Sequence, residues 1–119
     1  MKTGIELIQQ ERQEQIEKHG YSKEFQEANM QWYSNRQLIQ AGNFCVFPDS
    51  LDWPFNWDTS ARDKIIQKSR IGQLACAGAF YLAHEELFGY SHPLKRDIEF
   101  CAEEIDKILQ SKTQPPSPL

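Results

Sequence analysis

IGQLACAGAFYLA, residues 71–83, decides the fold. Within it only Gln73 carries a polar side chain. A helix that is apolar on every side is buried on every side, so this run is the central helix of a helical domain. It falls well short of the roughly 20 apolar residues that a membrane span needs. The pattern extends over 60–88, with Thr59 or Ser60 as N-cap. Gly72, Cys76, Ala79 and Ala83 lie on one narrow ridge of it, where small side chains allow another helix backbone to approach closely.

Outward from this centre, residues 89–93 read as a turn and 94–111 as the last helix. Ile98, Cys101, Ala102, Ile105, Ile108 and Leu109 form a one-sided apolar stripe there. Residues 112–119 end in QPPSPL and read as a flexible tail. On the other side of the centre lies FPDSLDWPFNWDTS, in which Pro48 and Pro54 forbid a regular helix. A second helix is predicted over 35–46 with Ser34 or Asn35 as cap, and 21–33 mixes loop with a short helical turn. The first helix covers 3–19 and stops at Gly20. No segment alternates with period two. The expectation is an all-α domain over 1–111, about four helices in a bundle, with a long Trp/Pro-rich loop between the second and third.

Composition narrows the function classes. The 119 residues suit one domain with one core. Hydrophobic residues at 39% and charged residues at 25% give an ordinary globular balance rather than disorder. The N-terminus turns charged almost at once and does not read as a secretory signal, so a cytoplasmic location is expected. A net charge of −4 argues against a surface for duplex nucleic acid. Cys45, Cys76 and Cys101 sit among apolar neighbours without CxxC spacing, as buried reduced thiols do. A third helix apolar on all sides also leads us to expect a homo-oligomer.

Several residues carry possible chemistry. Arg12 falls in the middle of the stripe Ile5, Ile8, Ile16, four residues from both Ile8 and Ile16. A guanidinium keeps its charge at ordinary pH, so at a buried position it needs a carboxylate or an anionic ligand. Glu85 or Glu86 is the candidate partner, and a ligand phosphate is the alternative. Gln15 and His19 flank the same face, and Tyr21 follows. Trp53 and Trp57, with Phe55 between them, either cover helix ends or stack on a base. Lys68 and Arg70 offer positive charge nearby, as does Lys64. His84, Glu85 and Glu86 form a cluster whose carboxylates suit Mg²⁺. Glu99, Glu103 and Asp106 share one side of the last helix, where a solvated face with a Glu103–Lys107 pair is the simpler reading.

The ordered set ERQEQIEKHGYS (11–22), NRQLIQAGNFCV (35–46), LDWPFNW (51–57) and KSRIGQLACAGAFYLAHEEL (68–87) resembles a group of small phage and prophage proteins with an ERxRQ signature. That group is similar to the MazG-like all-α nucleotide pyrophosphohydrolases. The resemblance implies a helical scaffold that holds a nucleotide and, in the enzymes, Mg²⁺ bound by acids in EExxE and ExxD patterns. This chain has no complete set of that kind. Where the group has the acid of its GEL helix, Gln37 stands, or Gln73 in the other alignment. An amide brings no charge to a metal.

The resulting expectation is a non-hydrolysing nucleotide binder, without a resident cofactor, as in a phage protein that sequesters a cyclic or linear signalling nucleotide. Its expected ligand contacts are Arg12, Gln15, His19, Tyr21, Trp53, Trp57, Lys68, Arg70 and His84. The alternatives are an Mg²⁺-dependent pyrophosphohydrolase using Glu85, Glu86, Glu103 and Asp106, and an interaction module without a small ligand.

Overall fold

A computed structural model describes residues 2–113. Among these the chain forms six α-helices and one 3-10 turn, and no strand. They are α1 Gly4–His19, α2 Lys23–Ala28, the turn Met30–Trp32, α3 Gln37–Val46, α4 Thr59–Gln67, α5 Arg70–Phe88 and α6 His92–Thr113. No helix of the described residues is long and apolar enough to cross a membrane.

The all-helical architecture agrees with the sequence, but the helix count does not. The predicted helix over 60–88 is two helices, because Ser69 leaves the helical conformation and its side chain accepts a hydrogen bond from Gly72 N at 3.1 Å. Gln73 then donates to Ile65 O and Ile66 O, carbonyls of the last turn of α4, the first of which also accepts from Lys68 N. Neither glycine nor proline marks this break, so periodicity ran straight through it. Asp58, rather than Thr59 or Ser60, caps α4 by accepting from Ser60 N. Residues 21–33 also hold more structure than expected. Ser22 caps α2 by accepting from Phe25 N, and the 3-10 turn follows.

Other boundaries have local causes. Thr3 and Glu6 form a capping box at the start of α1. Gly20 ends the helix with φ 74°, a conformation that glycine adopts without a Cβ penalty. The cap expected at Ser34 or Asn35 is replaced by Arg36, held at φ 62°. The buried Gln37 side chain supports this corner by accepting from Asn35 N at 2.6 Å. Ser91 Oγ accepts from Leu94 N, so α6 begins at His92 and Pro93 lies in the first turn, where a missing N–H costs nothing. At its other end α6 runs through Lys112 to Thr113, two residues into the expected tail; the rest of that tail lies outside the described residues.

Helix α5 is the centre, packed against α1, α3 and α6. Leu74, Ala75, Cys76, Ala77, Ala79, Tyr81 and Ala83 are all buried. The other helices of this same chain therefore cover these faces of α5, while Phe88 at its end stays exposed. Helix α1 approaches α5 closely at Gly78, outside the expected ridge. A Cβ there would lie 2.6 Å from Ile8 Cδ1. Within the expected α1 stripe, Ile8 is fully buried, Ile16 is half-buried and Ile5 is exposed. The α6 stripe is as predicted, with Leu94 added to Ile98, Cys101 and Ile105 in the core. All three cysteines are buried free thiols. Burial pushes Cys101 up to about 12 and raises the other two as well, so all stay protonated.

Candidate functional site

Aromatic side chains from four segments meet in one cluster. The loop between α3 and α4 contributes Trp53 and Trp57. Trp53 meets Phe44 of α3 edge-on at 5.5 Å between ring centroids, and Trp57 packs on Phe80 of α5 at 5.8 Å. The two indoles touch each other at 5.5 Å, nearly perpendicular. Tyr33 adds an edge-on contact to Trp57 at 5.9 Å. The Trp57 indole N–H donates to Trp32 O at 2.8 Å, which ties the loop to the 3-10 turn. Pro54 between the tryptophans is fully buried and fixes the loop against the bundle.

These rings surround a cavity of about 300 Å³. Tyr21, Phe25 and Trp32 line it and are partly exposed, while Tyr33, Trp53, Trp57 and Phe80 lie deeper. Such a volume is at the small end of the roughly 300–1,000 Å³ of ligand pockets. The polar groups in its wall are Gln15, Gln26, Asn56 and Asp58. Neither lysine nor arginine lines it. Burial, with Tyr21 nearby, pushes Tyr33 up to about 12, so this wall residue is neutral at ordinary pH.

Three atoms of these wall residues lack a hydrogen-bond partner and are closed off from water: Gln26 Oε1, Trp53 Nε1 and Asn56 Oδ1. The Asn56 amide is oriented by its Nδ2, which donates to Gln31 O at 3.2 Å. An unpaired buried polar atom costs about 1–3 kcal/mol. Three of the four such atoms among the described residues belong to this wall, the fourth being His84 Nδ1, and a ligand with matching groups would complete them.

Arg12 stands directly behind this wall. Its Nε donates to Glu86 Oε2 at 2.9 Å and its Nη2 to Glu86 Oε1 at 2.8 Å. Its Nη1 donates to Gln15 Oε1 and Tyr21 O. The guanidinium thus has a bidentate carboxylate partner and two further acceptors. Of the two roles that the sequence left open, the geometry supplies the carboxylate partner, and that partner is Glu86.

No family model, no curated protein and no solved structure matches this chain.

The structure thus gathers Gln15, Tyr21, Trp53 and Trp57 of the expected ligand contacts, with Arg12 one layer back. His19 is exposed and stacks on Tyr21 at 5.9 Å, outside the cavity. Lys68 and Arg70 belong to the α4–α5 corner, where Arg70 donates to Cys45 O and Gln73 Oε1. His84 packs on Phe88 at 4.6 Å, and burial together with Arg36 holds it below its usual value.

The expected metal ligands do not come together. Glu86 is held by Arg12, and Asp106 Oδ1 accepts from Gly4 N at 2.7 Å at the start of α1. Lys107 pairs with Glu104 rather than Glu103. Among the described residues no three His, Cys, Asp or Glu side chains group in a way that could hold a metal ion. The residues present do not fit the Mg²⁺ site that the family resemblance implies.

Sequence reading missed Phe25, Gln26, Asn56 and Phe80. Gln26 is 1% exposed although it lies in the polar six-residue helix KEFQEA, and no local signal marks it. Asn56 had one available signal, its place between two aromatic residues of a proline-bound loop.

Proposed function

We propose that this chain is a nucleotide-binding protein that takes its ligand base-first into the aromatic cavity and does not hydrolyse it. The observation that carries this reading is the cavity itself, in which rings enclose a space whose wall holds unpaired polar atoms. Base stacking on aromatic side chains contributes about 1–3 kcal/mol per base, and polar atoms at the edge add orientation. The non-hydrolysing half is supported by the engagement of Glu86 with Arg12 and of Asp106 with Gly4, and by the structural roles of Gln37 and Gln73. A binder of this kind would act by sequestering its ligand.

All three tryptophans of the chain line the cavity, so intrinsic fluorescence reports directly on occupancy. Titration with ATP, GTP, CTP and UTP in the absence of Mg²⁺ should quench or shift the emission for at least one of them. Pyrophosphate release on adding Mg²⁺ would establish the hydrolase instead.

A second reading, an interaction module, is favoured by Leu51 at 100% and Phe55 at 93% exposure on the same loop. Loss of partner binding in Leu51→Ser/Phe55→Ser, with no nucleotide effect on the unaltered chain, would select it.

A further inference from the structure

From the make-up of the cavity wall we infer that the site recognises an uncharged heterocyclic ring bearing at least one N–H donor and one acceptor, and leaves any phosphate in solvent. Nucleosides and free bases are then ligands on an equal footing with nucleotides. This inference rests on the proposed binding role and specifies which part of the ligand is read.

Charge is the first argument. Asp58 is the only carboxylate in the lining, and no lysine or arginine accompanies it. Arg12, the guanidinium bonded to the lining residues Gln15 and Tyr21, is 5% exposed and committed to them and to Glu86. A phosphate drawn into this space would lose its hydration without gaining a cation, and would face Asp58. An uncharged ring meets no such penalty.

The unpaired atoms supply the second argument. Trp53 Nε1 can only donate, so the ligand must offer it a lone pair. Asn56 Oδ1 can only accept, and the Asn56 amide cannot reverse without losing its bond to Gln31 O. The ligand must therefore bring an N–H as well. Gln26 Oε1 takes a second N–H where one is available. These atoms are closed from water in the unbound chain, so completing their hydrogen bonds requires the side chains packed over them to give way. A quaternary ammonium group, the other guest suited to an aromatic cage, has neither donor nor acceptor and would leave all three atoms unpaired.

The cavity's size agrees with this. About 300 Å³ accommodates one ring system with its sugar, and a cyclic dinucleotide does not fit inside it whole.

The test is a tryptophan-fluorescence titration of the full chain without Mg²⁺. The probes are adenosine, AMP, ATP, N6,N6-dimethyladenosine, choline, and the same phosphate series for guanosine, cytidine and uridine. The expected result is that at least one nucleoside binds with a Kd within about threefold of its own triphosphate. N-dimethylation should weaken adenosine, where adenosine is the ligand, by on the order of tenfold, the usual worth of one hydrogen bond. Asn56→Leu and Trp53→Phe should each weaken the preferred nucleoside by a similar factor.

Triphosphates that bind while their nucleosides fail would overturn this inference and leave the nucleotide-binding role standing. Equal binding of adenosine and its dimethyl derivative would overturn it too. Choline binding without any nucleoside, or no binding by any probe, would overturn both. The comparison of nucleoside with triphosphate uses the unaltered chain, so it decides the matter even if a variant does not fold.

Discussion

Glu86→Ala removes both carboxylate acceptors from Arg12, and the two partners are not equally placed to bear separation. The Arg12 side chain is 5% exposed, against 36% for Glu86. Without Glu86, the guanidinium stays buried with Nε and Nη2 unpaired and only the Nη1 bonds to Gln15 and Tyr21 left. Breaking a buried pair in this way costs about 3–5 kcal/mol. Arg12→Met acts differently. Its carboxylate partner turns to water, and the arginine's own desolvation cost disappears. What remains is the loss of donors to the buried Gln15 Oε1 and to Tyr21 O, about 1–3 kcal/mol. The double variant should lose little more than Arg12→Met alone, which gives a coupling energy of about 3–5 kcal/mol, nearly the whole cost of Glu86→Ala. For a domain of this size each kcal/mol shifts Tm by roughly 4 °C, so Glu86→Ala should melt about 12–20 °C lower. Guanidinium denaturation followed at 222 nm on the three variants measures all the terms. A Glu86→Ala cost below about 1 kcal/mol, or a larger cost for Arg12→Met than for Glu86→Ala, would refute the reasoning.

Gly78→Ala should destabilise by about 1–3 kcal/mol, because its Cβ meets Ile8 Cδ1 at 2.6 Å, and adding Ile8→Val should recover part of this in the same denaturation assay. His84 is held below its usual 6.5 in the fold, so the unfolded chain binds the proton more readily. Its contribution to stability is then complete above pH 6.5 and falls away as pH drops through 6.5 towards the lower folded value. Urea midpoints between pH 7.5 and 5 should show this fall, and His84→Gln should flatten it; an unchanged slope in the variant would assign the dependence to other groups. Ultraviolet titration near 295 nm should find Tyr33 half-ionised at about pH 12, and Tyr33→Phe should remove that step.

The sequence by itself determined the helical class, the central place of 71–83, the helix end at Gly20 and the buried stripe of α6. Each follows from short-range physics: apolar periodicity, capping chemistry and the backbone freedom of glycine. It also placed Arg12 in a buried setting, because a charge in the middle of an apolar stripe is visible at helical spacing. Tertiary structure decided the rest. It chose Glu86 over Glu85 as the carboxylate partner, since 74 residues separate Arg12 from Glu86 and only packing brings them together. It split the long helical pattern at Ser69, where a side chain of modest helix propensity found a capping role once Gln73 closed the end of α4. The cavity was the least legible feature. Its wall draws on α1, α2, the 3-10 turn, α3, the following loop, α4 and α5. Gln26 and Asn56 look like surface residues in their own segments, and only the meeting of those segments leaves their oxygens buried without a partner.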